Sequence, residues 1–123
     1  MKILLIDDDA FLIDMYAAKF SSTGHDVDTA KTVELALEKL RAKHEYDAIL
    51  LDMVLPGMTG TELLAIIQAE KLAGKSKIII LSNQGDQGDI NGAKSAGADD
   101  YIIKAHMIPS EVVQSVVATV AGK

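Results

Sequence analysis

Cysteine and tryptophan are both absent from the 123 residues, and only three tyrosines and two phenylalanines supply aromatic rings. Without cysteine, disulfides and thiolate metal sites are excluded, a composition that suits a reducing cytosol and leads us to expect a cytoplasmic protein. So few rings argue against a surface that stacks nucleobases. The 12 basic residues form no cluster and the net charge is −6, so no footprint for direct nucleic-acid binding is visible. No apolar run approaches the roughly 20 residues that span a bilayer, and no membrane association is expected. Met1-Lys2 runs straight into strand-like residues, unlike a signal peptide. Proline occurs twice, and there is no repeat, linker or low-complexity tract.

What remains is a chain the size of one ordinary domain, residues 1–123, with 49% hydrophobic residues to build a core. Its apolar pattern alternates between two periods. Residues 2–6 (KILLI) form a continuous apolar run, as expected of a strand buried on both faces. From Asp9 to about Thr23 a helical period follows, with Leu12, Met15, Tyr16 and Phe20 on one face and Gly24 at the position that ends the helix. Val27 and Thr29 mark a second strand. A helix after Thr32 turns Val33, Ala36, Leu37 and Leu40 inward, with Lys43 among its outward residues. Residues 46–51 (YDAILL) are the third predicted strand, and Leu63, Leu64 and Ile67 define a third helix that Gly74 closes. Residues 77–81 (KIIIL) are the fourth strand. A fourth helix over 87–96 is weakened by Gly88 and Gly92, at roughly 1 kcal/mol each. Gly97 ends it, 100–103 (DYII) are the fifth strand, and Pro109 opens a last helix with Val113, Val116, Val117 and Val120 inward. Val112 is expected to add to an exposed apolar patch there.

Five strands alternating with five helices predict a parallel sheet covered on both faces, an α/β three-layer sandwich. At this length the flavodoxin-like (βα)5 order 2-1-3-4-5 is the natural choice. Strands 1 and 3 then meet at the switch point where such sheets bind ligands, at the carboxyl ends of the strands. Strand 1 ends in Asp7-Asp8-Asp9, strand 3 in Asp52, strand 4 in Ser82 and strand 5 in Lys104. Singly, each has a structural explanation: Asp9 caps the first helix, Ser82 caps the fourth, and a lone lysine is a solvated charge. Together they fall on one edge of the sheet, where accidents would scatter over two.

Carboxylates packed within several ångströms repel one another, and a divalent cation resolves this. All-oxygen ligands favour Mg²⁺. Lys104 offers a point charge and Ser82 a hydroxyl to phosphoryl oxygens, and Asp52, the carboxylate in the middle of this cradle, is the candidate nucleophile.

The ordered set of Asp7-Asp8, Asp52 in "LLDMVLPGMTG", Ser82 in "IIILSN" and Lys104 in "YIIKA" resembles the receiver domain of two-component response regulators, the class that includes the single-domain chemotaxis regulators. The resemblance covers essentially the whole chain. It implies that Asp52 accepts a phosphoryl group from the phosphohistidine of a sensor histidine kinase or phosphotransfer protein. It further implies that Asp7, Asp8, Asp52 and the Met53 backbone carbonyl bind Mg²⁺, and that Ser82 and Lys104 contact the phosphate. Tyr101 matches the aromatic that turns inward as Ser82 moves toward the phosphoryl group. The surface of the fourth helix, fifth strand and fifth helix would be the output face, for a downstream target or for a weak dimer. Such a domain is a switch that assists its own phosphoryl transfer and dephosphorylation, not an enzyme in the ordinary sense.

Several positions depart from the family pattern. Ala105 stands where proline commonly follows the lysine in a cis bond; a cis Lys104–Ala105 bond would cost ~3 kcal/mol, so either other contacts hold it or the loop is trans. Asn83 replaces a small residue beside Ser82, and Val54 and Gln84, flanking the path of the hydrolytic water, include no acid; a long-lived phosphoryl group is expected. His25, His44 and His106 read as solvated, and Met53 and Met58 as loop packing. Nothing follows the last helix except Ala121-Gly122-Lys123, which suits either a stand-alone regulator or a fragment of a longer protein. Two rivals compete. A phosphatase of the haloacid dehalogenase type would use Asp7 as nucleophile, with Asp9, Ser82, Lys104 and the pair Asp99-Asp100. A receiver fold used only for protein binding would carry no chemistry at all.

Overall fold

The computed structural model describes residues 1–42, 45–83 and 85–122. The described residues form seven strands and five α-helices, alternating except where β3, β4 and β5 follow one another. The strands are β1 (Lys2–Ile6), β2 (Asp26–Ala30), β3 (Ala48–Leu51), β4 (Val54–Leu55), β5 (Met58–Thr59), β6 (Lys77–Ser82) and β7 (Asp100–Ile103); the helices are α1 (Ala10–Ser22), α2 (Val33–Arg41), α3 (Gly60–Ala69), α4 (Gln87–Ser95) and α5 (Pro109–Val120). The main sheet has the order β2-β1-β3-β6-β7 with every pair parallel, which is the expected 2-1-3-4-5 arrangement.

Alternation along the strands divides the core in two. Ile3, Leu5, Leu50, Ile79 and Leu81 face Ile13, Tyr16 and Phe20 of α1 and Val112, Val113 and Val116 of α5. Leu4, Ile6, Ile49, Leu51, Ile78 and Ile80 face α2, α3 and Ala93 of α4. Each fully buried Leu or Ile contributes roughly 1.5–3 kcal/mol, so both faces of the sheet are anchored. Helix α4 is the exception, because Ala93 is its one buried residue.

Local signals account for most boundaries. Asp9 caps α1, its carboxylate accepting from the amides of Phe11 at 3.0 Å and Leu12 at 3.2 Å. Gly24 and Gly97 end α1 and α4 in the left-handed conformation, at φ 89° and 110°. Pro109 is the first residue of α5.

Four expectations need correction. Helix α3 ends at Ala69, five residues short of Gly74. Lys71 takes the left-handed conformation at φ 55° instead, and the amides of Lys71 and Leu72 return to the carbonyls of Gln68 and Ile67 at 3.1 and 2.9 Å. That pair of bonds satisfies the last turn, so the helix stops without glycine. Strand β3 begins at Ala48, two residues later than expected; ahead of it the Tyr46 hydroxyl donates to Asp28 and the Asp47 carboxylate accepts the Lys2 amide. Val112 is fully buried while Val117 is 38% exposed, because α5 presents Val112, Val113 and Val116 to the sheet. Ile13, unassigned from the sequence, is fully buried beneath α1 while Leu12 and Met15 are only half-buried. Lys43, His44 and Gln84 lie outside the described residues.

Candidate functional site

The parallel register brings the strand ends together. Ile6 pairs with Leu51, so the next residues, Asp7 and Asp52, emerge side by side at the switch point. Their backbones are held there: the Asp7 amide donates to the Ala30 carbonyl at 3.2 Å and the Asp52 amide to the Ile6 carbonyl at 3.0 Å. Ser82 closes β6 opposite Ile103, and Lys104 follows immediately as the first residue of a short 3₁₀ turn, Lys104–His106. The chain contains no cis peptide bond among the described residues, so Lys104–Ala105 is trans.

Among the described residues, Asp7, Asp52, Ser82 and Lys104 are the buried polar ones, at 1, 8, 3 and 8% exposure. The Lys104 ammonium donates to Asp7 Oδ2 at 2.8 Å and stands 3.8 Å from Asp52 Oδ1. Asp7 Oδ1 accepts the Asp9 amide at 3.0 Å. Asp8 is exposed, yet carboxylate oxygens of Asp7, Asp8 and Asp52 all lie within 4.8 Å of one another. Burial pushes the Asp52 carboxyl up to about 6; Lys104 and the Val54 amide pull it down, while Asp7 beside it pushes it further up. Three carboxylates facing one lysine leave excess negative charge that a hard divalent cation fits, since the oxygen-only donor set carries no nitrogen or sulfur. The Met53 carbonyl accepts the Gly60 amide at 2.7 Å, which leaves its second lone pair for any further ligand.

The loop after Asp52 is more ordered than the sequence indicated. Residues 54–59 fold into a two-stranded hairpin, with Val54 opposite Thr59 and Leu55 opposite Met58. Pro56-Gly57 forms its turn, with Gly57 at φ 79°, as the third position of a type II turn requires. Thr59 then caps α3 in a reciprocal pair with Glu62, at 3.1 and 3.0 Å. Met53 and Met58 pack against the core as expected. Tyr101 is half-buried, and its ring lies so near the β6–α4 loop that a Cβ at Gly85 would fall 2.7 Å from it.

Other candidates lie elsewhere. Asp99 precedes β7 and Asp100 opens it, at the opposite end of the sheet, where Asp99 accepts the Ile78 amide at 2.8 Å and Asp100 the Thr119 hydroxyl at 3.2 Å. Asp9 is committed to capping α1, so the acid set of the phosphatase alternative does not assemble. His106 is exposed; His25 is half-buried against Phe20, its Nδ1 3.2 Å from the terminal amine.

Comparison with known proteins agrees with the geometry. The family model of the response regulator receiver domain matches residues 3–116. The chain belongs to that family: it is a receiver domain of two-component, phosphorylation-dependent signalling. It is 35% identical over 105 residues to the two-component response regulator PhoP of Pseudomonas aeruginosa, covering 85% of this chain and 45% of the relative. To the DNA-binding response regulator MtrA of Mycobacterium tuberculosis it is 33% identical over 115 residues, covering 94% of this chain and 48% of the relative. The chain thus spans about half the length of the curated relatives it matches. Among solved structures it resembles a CheY-like receiver domain protein of Methanospirillum hungatei, with a TM-score of 0.87, 29% identity, and coverage of 98% of this chain and 94% of the other. None of the helices described here is long and apolar enough to cross a membrane.

Proposed function

We propose that Asp52 is the phosphoacceptor of this receiver domain. The carrying observation is its burial, at 8% exposure, among Asp7, Asp8 and Lys104 at the end of a central strand. In the transfer an Asp52 carboxylate oxygen attacks phosphorus, the O–P bond forms as the P–N bond of a phosphohistidine breaks, and the imidazole leaves with the electron pair. Lys104 and the Ser82 hydroxyl serve the phosphoryl oxygens. Asp7, Asp8 and Asp52, with the free lone pair of the Met53 carbonyl, would hold Mg²⁺, which supplies positive charge opposite the phosphoryl group when bound. The same groups assist later hydrolysis of the acyl phosphate.

A protein donor suits this entrance. Phe11, Val54 and Ile108 are 76, 69 and 62% exposed and sit on the segments that follow β1, β3 and β7, around the buried acid. A sensor histidine kinase or phosphotransfer protein would seat on that rim, in the cytoplasm. Once Asp52 carries phosphate, Ser82 and Tyr101 adjust and the face formed by α4, β7 and α5 changes its partner, either a separate protein, a second copy, or an effector domain of a longer chain.

The test is to treat the protein with Mg²⁺ and acetyl phosphate and to map the acyl phosphate by borohydride reduction and mass spectrometry. Modification at Asp52, lost in D52N, is expected. Modification at Asp7 would favour a hydrolase, and no modification at all would favour a module used only for binding.

A further inference from the structure

Gly60 lies at the first position of α3, and two features of its surroundings are unusual. Its φ lies outside the left-handed region, so its backbone conformation makes no demand for glycine. Helix propensity likewise gives no reason to prefer glycine over alanine there. Yet a Cβ at this position would fall 2.4 Å from the Asp52 carbonyl oxygen, 2.9 Å from Met53 Cα and 3.1 Å from the Asp52 carbonyl carbon. All three are backbone atoms, so no flexible side chain can swing aside. The Gly60 amide also donates to the Met53 carbonyl at 2.7 Å, continuing the hairpin that pairs Val54 with Thr59. The start of α3 is thereby pressed directly against the peptide unit that carries Asp52.

We infer that Gly60 is a positioning residue for Asp52: its missing side chain lets α3 brace the Asp52–Met53 backbone and so aim the Asp52 carboxylate at Asp7, Asp8 and Lys104. This rests on the assignment of Asp52 as phosphoacceptor and names what holds it in place. Because the amide of Asp52 is fixed to the Ile6 carbonyl at 3.0 Å, a Cβ at position 60 must either displace α3 or rotate the Asp52–Met53 peptide. Either movement shifts a carboxylate oxygen that stands 3.8 Å from the Lys104 ammonium and within 4.8 Å of its acidic neighbours.

Gly57 supplies the control. It belongs to the same hairpin, and its φ of 79° makes any replacement strained, but a Cβ there would meet nothing within 4 Å. Gly57→Ala therefore damages the loop without touching Asp52.

The experiment compares wild type, G60A and G57A in three measurements: thermal unfolding, Mg²⁺ affinity by calorimetric titration, and the rate of Asp52 modification by acetyl phosphate. G60A is expected to remain folded and to lose about tenfold or more in both Mg²⁺ affinity and modification rate, because small misplacements of reacting groups are costly. G57A is expected to melt earlier while retaining both within about twofold, since its strain stays in the loop. G60A with unaltered affinity and rate would overturn the inference, as would a G57A loss equal to that of G60A. Should G60A fail to fold, E62A loosens the same turn by removing its capping carboxylate; severalfold weaker Mg²⁺ binding supports the inference, and unchanged binding overturns it. If wild type itself is not modified at Asp52, the phosphoacceptor assignment fails. The Mg²⁺ titration still decides whether Gly60 positions the acid.

Discussion

Lys104 pairs more closely with Asp7 than with the acid it is expected to serve: its ammonium is 2.8 Å from Asp7 Oδ2 and 3.8 Å from Asp52 Oδ1. Both carboxylates and the lysine are buried, so the lysine is the one positive charge that holds two like charges together among the described residues. Removing one partner from a buried pair typically costs 3–5 kcal/mol, because the remaining charge stays desolvated. K104M should therefore lose about 3 kcal/mol of stability in a chelator. Mg²⁺ should restore more stability to the variant than it adds to wild type, since the cation replaces the missing charge. Urea unfolding with and without Mg²⁺ measures both. A variant as stable as wild type in the chelator would show that the pair is not holding the strand ends together.

Asp52 carries a stability cost of its own. Its carboxyl is pushed up to about 6, above the ordinary 3.8, chiefly by burial; Lys104 pulls it down, and Asp7 pushes it further up. A carboxyl raised in the folded state favours folding while protonated. That stability is complete below about pH 3.8 and is lost as pH rises through about 6. D52N removes the ionising group, so without metal it should be more stable than wild type at pH 7 by on the order of 2 kcal/mol. The difference should close as pH falls below about 4, where both states of the wild-type acid are protonated. Unfolding across this pH range in a chelator is the check, and equal stability at pH 7 would contradict the burial argument.

The lifetime of the acyl phosphate is a third quantity. Val54, two residues beyond the acceptor, is 69% exposed and apolar, and offers no carboxylate to orient an attacking water. Phospho-Asp52 is accordingly expected to persist for minutes or longer after the donor is removed. Following its decay by quenched mass spectrometry decides this, and a lifetime of seconds contradicts it.

Much of the site could be seen in the sequence because strand direction leaves little choice. Once five apolar runs alternate with helices, their carboxyl ends share an edge, and Asp7, Asp52, Ser82 and Lys104 arrive there together. What escaped depends on tertiary contact. The glycine at position 60 looks like an ordinary helix start until the hairpin folds its backbone onto Asp52. Gly74 is the better helix stop by local rules, but the return bonds from Lys71 and Leu72 close α3 earlier. Val112 and Val117 exchange roles through small differences in helical phase around Pro109, which a valine-rich sequence does not reveal. Tyr46 reads as a strand residue, whereas its work is done by its hydroxyl.

That hydroxyl makes a fourth prediction. It donates to Asp28 Oδ2 at 2.7 Å, and Lys39 pairs with the other oxygen of the same carboxylate. Burial pushes Asp28 up, but Lys39, Tyr46 and the Thr29 amide outweigh it and hold the carboxyl below its ordinary 3.8; burial and Asp28 raise the Tyr46 phenol. A lowered carboxyl contributes stability that is present above its unfolded value and lost as pH falls through its folded one. Y46F should cost about 1 kcal/mol at pH 7, the typical worth of one hydrogen bond. The cost should shrink below about pH 3.8 as Asp28 loses its charge. Phosphorylation of Asp52 should be unaffected, because this network joins β2, α2 and the start of β3 away from the switch point.

Lys71 supplies the last prediction, and it runs in the stabilising direction. Its φ of 55° makes it the one non-glycine residue described here in the left-handed region, which costs an ordinary side chain roughly 1–2 kcal/mol. Glycine removes that cost but adds entropy to the unfolded chain, offsetting roughly 0.5–1 kcal/mol. K71G should therefore stabilise the protein by about 0.5–1 kcal/mol, the balance of those two effects. For a domain of this size that corresponds to a rise of a few degrees in Tm. The backbone bonds that close α3 do not involve the lysine side chain, so they persist in the variant. Position 71 follows the carboxyl end of α3, and Asp52 lies at the helix's opposite end, beside Gly60. Mg²⁺ affinity and the rate of modification by acetyl phosphate should then match wild type. A lowered Tm for K71G would show that the lysine side chain contributes contacts worth more than the strain it imposes.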